Sequence, residues 1–193
     1  LPSVINKYNF DMSVGGIIVQ QPLPRHIDTE VIVNEVLPPL DVDGFTDESP
    51  FMPCTPEGIM YILRKELGDL EGLSVLVIGR GHLVGIPMVG NLLAANCTVT
   101  IAHSYTKDLD SLLMAPHDII VSAVGKPHLV DLQKCNATIV IDVGVNRDEN
   151  GKLCGDCYNF AGDGSKGMLV TPVPGGIGLM TRAMLMKHMG GLT

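Results

Sequence analysis

Gly79-Arg80-Gly81-His82-Leu83-Val84-Gly85 follows the apolar run Ser74 to Ile78 and joins backbone freedom to a permanent positive charge. The G-x-G-x-x-x-G spacing is a near relative of the dinucleotide fingerprint. Its glycines let the backbone approach a pyrophosphate, and a following helix turns its amide end toward the anion. The bland reading is a tight strand-to-helix turn without a ligand; the position between an apolar strand and a helix favours binding. NAD binders commonly end the next strand with an Asp or Glu, roughly 20 residues on, to hold the ribose hydroxyls. Here that strand ends Ala102-His103-Ser104-Tyr105-Thr106, with no carboxylate before Asp108. The hydroxyls of Ser104 and Thr106 near the guanidinium of Arg80 suit a 2′-phosphate, so the pattern points to NADP rather than NAD.

A second set of reactive residues carries less. Cys154 and Cys157 form a C-x-x-C pair, a spacing shared by redox dithiols and half of a zinc site. Zinc wants a second pair or histidines at ligand spacing. His82, His103, His117 and His128 show no such spacing, so no metal is expected. Five cysteines is an odd count in a chain too long for a disulfide scaffold, which favours reduced thiols in a cytosol-like compartment.

The elements that must position the loop are legible around it. Ser74 to Ile78, Thr98 to Ala102, Asp118 to Val124 and Thr138 to Val143 are short Val/Ile-rich runs without alternation, as in strands buried on both faces of a parallel sheet. Helix-length stretches, Pro87 to Ala95 and Leu109 to Ala115, lie between them. The repetition predicts a doubly wound, Rossmann-like α/β domain. Gly16 to Gln20 is also strand-like and runs into Pro22-Leu23-Pro24; Asp28 then caps a helix predicted over Thr29 to Val36. Proline-bracketed segments, Pro53-Cys54-Thr55-Pro56 and Thr171-Pro172-Val173-Pro174-Gly175-Gly176, precede two further helices, Glu57 to Leu67 and roughly Met180 to Met189. The predicted organisation is a nucleotide domain over 57–168 inserted into a partial N-terminal α/β substrate lobe made of 1–56 plus 169–193. The cleft between the two is the default site.

With 46% hydrophobic and 18% charged residues, the 193-residue chain has ample core and is not a disordered polymer. A net charge of -8 without a basic stripe argues against nucleic acid and anionic membranes, so a phosphate must be held by local donors. No apolar run is long enough to span a bilayer, and Leu1 to Phe10 lack signal-peptide character; a cytoplasmic location is expected. The chain opens on Leu1 rather than methionine, so upstream sequence is expected.

Seven blocks occur in one order: Gly16-Ile17-Ile18-Val19-Gln20-Gln21-Pro22-Leu23-Pro24; Asp41-Val42-Asp43-Gly44-Phe45; Pro53-Cys54-Thr55-Pro56; Gly79-Arg80 with Val84-Gly85-x-Pro87; His103-Ser104-x-Thr106; Asp142-Val143-Gly144; and Thr171 to Gly176. Together they resemble the bifunctional methylenetetrahydrofolate dehydrogenase/methenyltetrahydrofolate cyclohydrolase family over nearly the whole chain. The resemblance implies NADP-dependent oxidation of methylenetetrahydrofolate to the methenyl cation, then hydrolysis to 10-formyltetrahydrofolate. By the same resemblance Gln20 assists the proton-handling residue, and Asp43 holds the amino and ring N–H groups of the pterin. Pro22, Gly175 and Gly176 lie against substrate. Thr55, Gly79, Arg80, Gly81, Gly85, Ser104, Thr106 and Gly144 line the cofactor channel. A homodimer is expected on the same ground. Read alone, Gln20 satisfies strand-end backbone and Asp43 is a turn residue before Gly44.

The chain also departs from the family pattern. The family's Tyr-x-x-x-Lys segment, whose lysine is the principal acid/base group, lies upstream of the Gln20 block, before this sequence starts. Tyr61 to Lys65 has the same spacing, but its Arg64-Lys65-Glu66 run reads as a solvated helix face. The Asp43 to Pro53 connection is short, Gly81 stands where a serine is usual, and Leu179 where a proline is usual. The alternative to the enzyme is a non-catalytic NADP- or folate-binding relative, or a fragment, without the lysine.

Overall fold

The structure is a computed structural model that describes residues 1–24, 26–160 and 167–190. In chain order the first elements are α1 (Pro2–Asn9), α2 (Thr29–Val33), α3 (Cys54–Leu67), β1 (Ser74–Ile78), α4 (Gly85–Ala94), β2 (Thr98–Ala102), α5 (Leu109–Met114) and β3 (His117–Ser122). The remainder are β4 (Val130–Asp131), β5 (Ala137–Asp142), β6 (Asn146–Arg147), β7 (Leu153–Cys154), β8 (Cys157–Tyr158), β9 (Leu169–Val170) and α6 (Ile177–Gly190). Parts of the expected segments, at 25, 161–166 and 191–193, lie outside the described residues.

Five strands form one parallel sheet in the order β2-β1-β3-β5-β9. Successive strand residues face opposite sides, and both sides are covered. Val75, Val77, Ile119, Val121, Ile139 and Ile141 pack with Ile59, Met60 and Leu63 of α3 and Met88 and Leu92 of α4. Leu76, Ile78, Ile120 and Val140 pack the other way, with Leu113 of α5, Leu132 and Met168. Two apolar layers explain the missing alternation, and the doubly wound α/β expectation holds.

β2 departs from its expectation. It has the predicted bounds but forms the sheet edge, with Thr98 and Ile101 exposed and Ala102 its one buried residue. An edge strand has no neighbour beyond it, so Val/Ile content alone overstated its burial. Gly16 to Gln20 is a further correction: only a single parallel bridge, Ile17 to Asp41, forms there, with Ile17 N donating to Leu40 O at 2.7 Å. Pro22 closes the run, and its side chains Ile17 and Val19 instead pack on Ile5, Ile32 and Val36 in a small third core. Helix α2 starts as predicted, with the Asp28 carboxylate accepting from the Glu30 and Val31 amides. It stops at Val33 rather than Val36, because both the backbone and side-chain amides of Asn34 converge on the Glu30 carbonyl.

Strand register decides where chemistry can happen. Ala102, Ile78, Ser122 and Asp142 pair across β2, β1, β3 and β5 as one row at the carboxyl ends. The loops at 79–84, 103–106, 123–126 and 143–145 therefore leave one edge of the sheet. β1 lies between β2 and β3, so strand order reverses beside it, and ligands of open α/β sheets bind outside such a point. Behind this edge α6 lies against α3. A Cβ at Gly58 would stand 2.9 Å from the Met180 Cβ, so glycine lets the two helices close.

Candidate active site

The loop after β1 turns because its first glycine can. Gly79 has φ +109, and a Cβ there would lie 2.3 Å from the Ala123 carbonyl oxygen. β1 and the loop after β3 thus approach more closely than any side chain permits. Gly85 begins α4, whose start carries no side-chain cap, as suits a helix end offered to an anion. Gly81 and Arg80 face open space. The Arg80 guanidinium lies 5.6 Å from the centre of the Tyr105 ring, which brings the two loops together. Thr106 closes the second loop: its Oγ1 accepts from the His103 amide at 2.9 Å, while its own amide donates to the His103 carbonyl. Ser104 is exposed at the tip. Arg80 and Ser104 are therefore presented together, and Thr106 builds the turn that presents Ser104. Arg80→Ala is expected to narrow the NADP-over-NAD preference at least tenfold, since a charge-assisted phosphate contact contributes on the order of 1.5–3 kcal/mol. Paired cofactor titrations check this; an unchanged ratio would remove Arg80 from phosphate recognition.

Two concave surfaces flank α4 and α6. A cavity of about 970 Å³ has one wall from Gln21, Pro22 and Leu23 and another from the Gly44 to Pro53 region, while His82, Leu83, Ile86 and Pro87 close its far side. Segments beside Gln20 and Asp43 thus share one groove with the phosphate loop. A second, of about 340 Å³, is lined by Gly144, Gly175, Gly176 and Arg182 among others. Gln20 is exposed, its Nε2 donating to the Gln21 carbonyl at 2.9 Å. Two polar atoms of the larger cavity's wall residues, Gln21 Nε2 and Thr46 Oγ1, are buried without a hydrogen-bond partner. Buried polar groups normally have one, and these two atoms are closed off from the cavity itself.

Asp43 is half-buried. Burial, then the neighbouring Asp41 charge, pushes its carboxyl above the usual range; a Cys54 hydrogen bond and the His188 charge partly offset this. Asp41 is committed to the turn, accepting from the Gly44 amide at 3.0 Å and the Thr46 amide at 2.7 Å. Cys54 is buried, and its thiol is pushed up to about 12 by burial first, so it is no nucleophile near neutrality. Thr55 is half-buried, and its hydroxyl meets that of Thr181 on α6 at 2.8 Å.

A family model described as the tetrahydrofolate dehydrogenase/cyclohydrolase NAD(P)-binding domain matches residues 53–191, and one for the catalytic domain matches 1–43. The chain belongs to the tetrahydrofolate dehydrogenase/cyclohydrolase family. The Bifunctional protein FolD of Campylobacter curvus is 47% identical over 199 residues, spanning 97% of this chain and 68% of that protein. The crystal structure of the bifunctional FolD dehydrogenase/cyclohydrolase from Campylobacter jejuni superposes with a TM-score of 0.87 at 39% identity, covering 99% of this chain and 71% of that one. The Trypanosoma brucei FolD enzyme, solved with NADP cofactor and an inhibitor, gives 0.85 at 31% identity, over 99% and 70% of the two chains.

Within this tetrahydrofolate dehydrogenase/cyclohydrolase chain, Tyr61 is 54% exposed and Lys65 is exposed on α3, as expected of a solvated face. Among the described residues no group of three or more His, Cys, Asp or Glu side chains could hold a metal ion. No helix among them is long and apolar enough to cross a membrane. One residue that shapes the site escaped the sequence. Asp156 is fully buried and accepts from the amides of Val124, Gly125 and Lys126, the Ser122 hydroxyl and the Asn146 side chain. It moulds the loop after β3 against which Gly79 packs. Its C-G-D-C setting reads as a plain turn, and nothing local hints at donors some thirty positions upstream.

Proposed function

We infer that this protein oxidises methylenetetrahydrofolate with NADP and hydrolyses the methenyl product to 10-formyltetrahydrofolate. The single observation that carries the reading is one cavity with the Gln21-Pro22 and Gly44 to Pro53 segments on one side and the phosphate loop and α4 on the other. The residues present fit the cofactor: a glycine turn at the switch point, an uncapped helix start, and Arg80 with Ser104 for the 2′-phosphate. When bound, NADP supplies the hydride acceptor.

The chain's own residues bind and orient. Asp43, as a carboxylate, accepts from the pterin amino and ring N–H groups, a fork of donors that matches two oxygens. Gln20 offers an amide to the proton-handling group, and Pro22 bounds the folate wall. Gly175 and Gly176, lining the smaller concavity beside Gly144, let backbone approach the reacting rings. Thr55 holds α3 to α6 at the back of this site. Two lobes, 1–56 with 169–193 and 57–168, are the proposed division, supported by the separate third core around Ile5, Ile32 and Val36. The proposed setting is the cytosol, supported by five cysteines that form no disulfide among the described residues. A homodimer that binds neither nucleic acid nor membrane is proposed, supported for the exclusions by the net charge of -8.

The complete polypeptide is expected to reduce NADP when given methylenetetrahydrofolate, and to do so faster than it reduces NAD. Reduced-nicotinamide absorbance reads the first reaction, and loss of methenyltetrahydrofolate absorbance the second. No reduction with either cofactor would end the dehydrogenase reading.

A further inference from the structure

A buried charged cluster behind the folate wall has no role in the reactions described so far. His188, in the last turn of α6, is 3% exposed and stacks on Phe51 with ring centroids 4.3 Å apart. Its Nδ1 lies 2.8 Å from the Val42 carbonyl oxygen, and its Nε2 2.5 Å from Glu57 Oε2 on α3. A carbonyl and a carboxylate both only accept. A neutral imidazole could donate to one of them, so the geometry calls for the doubly protonated imidazolium. Glu57 is prepared as its counter-ion. Burial works against its charge, but hydrogen bonds from Lys187 and His188 outweigh burial and hold it below the ordinary carboxylate range.

The residue whose carbonyl His188 holds is Val42, next to Asp43. We propose that the His188–Glu57 pair is a positioning device for folate recognition, fixing the place and the charge of Asp43 from behind. The proposal rests on the folate reading of Asp43 given above.

Two physical effects combine. First, the Nδ1–H bond anchors the Val42-Asp43 backbone to α6, the helix that begins directly after Gly175-Gly176. Asp43 and those glycines are thereby referred to one rigid rod. Second, the charges around Asp43 are unbalanced without His188. Asp41 on its own segment and Glu57 on α3 are anionic, and the Cys54 thiol of α3 is neutral. Lys187 of α6 is spent on the exposed side of Glu57. Among the described residues, His188 is the cation that acts on Asp43. Without it, burial and Asp41 would favour the neutral carboxyl, which offers one acceptor fewer to the pterin N–H groups.

The test uses the complete polypeptide, 5-formyltetrahydrofolate as a stable reduced folate, and calorimetry across pH with NADP binding measured in parallel. His188→Gln keeps a side-chain N–H for the Val42 carbonyl and removes the charge. It is expected to move the acid limb of folate binding up by roughly one pH unit, which is about a tenfold loss of affinity at a pH on that limb and little change near neutrality. NADP affinity should stay at the wild-type value. Glu57→Gln removes the counter-ion and should shift the limb in the same direction, which keeps the test alive if the His188 variant does not fold. An unshifted limb in both variants, or equal losses of folate and NADP, overturns the proposal. Asp43→Ala separates the two readings. Should it bind folate like wild type, the pterin role of Asp43 fails and the positioning proposal with it. Should it lose folate while the Gln variants behave as wild type, only the positioning proposal fails.

Discussion

Asp43→Ala is expected to weaken folate binding on the order of 10- to 100-fold while NADP binding stays nearly intact. The magnitude follows from removing an acceptor that takes charge-assisted hydrogen bonds, about 1.5–3 kcal/mol, with 1.4 kcal/mol per decade of affinity. NADP should be spared because its proposed donors, Arg80, Ser104 and the loop after β1, hang on the sheet edge rather than on the Asp43 segment. A pH signature accompanies the loss. Burial raises the Asp43 carboxyl above 3.8, so wild-type folate binding should fall away at a higher pH than an exposed aspartate would give. The sign for stability is opposite to that for binding. An acid raised on folding takes up a proton in the folded state first, so this group's contribution to stability falls as pH rises through the window above 3.8, while folate affinity grows. Asp43→Ala should erase both trends. Equal loss of folate and NADP affinity would show instead that the site had come apart.

The second large effect concerns stability. Asp156→Ala is expected to destabilise the fold by about 3–5 kcal/mol, as when one side of a buried charged network is removed. For a chain of this length that is roughly 6–20 °C of melting temperature by calorimetry. The Val124 amide at 2.8 Å, the Lys126 amide at 3.0 Å and the Asn146 Nδ2 at 2.9 Å would be left without their acceptor. Asp142 does not replace it, because its two oxygens already accept from the Gly144, Asp156 and Cys157 amides. A variant melting within about 1 °C of wild type would show that the loop after β3 holds its shape without the carboxylate.

What could be read ahead of the structure was what neighbours in sequence determine. The strand at Ser74–Ile78, the glycine turn after it and the Asp28 cap each depend on residues within a few positions, and each formed as expected. Burial on both faces held for β1, β3 and β5, but edge position is a property of the whole sheet, and β2 could not announce it. The run at Gly16–Gln20 has strand composition and found only one bridge, because a strand needs a partner as well as a pattern. Asp156 and the pair of Glu57 with His188 stayed hidden for a plainer reason. Most of their partners are 30 to 34 or 131 positions away, and an isolated Asp, Glu or His signals a solvated side chain.

That distance of 131 residues has a bearing on how the molecule is made. Synthesis delivers α3 well before α6, and closing so long an intervening chain is entropically unfavourable until the sheet between them has formed. A nascent chain can therefore assemble β1 to β5 and the dinucleotide loop while its pteridine wall still lacks a backing. Ribosome-bound chains stalled when β9 has cleared the exit tunnel and α6 has not should already retain NADP and yet ignore reduced folate. On the proposed role of Asp43, the competence to take up the one-carbon donor arrives only with α6.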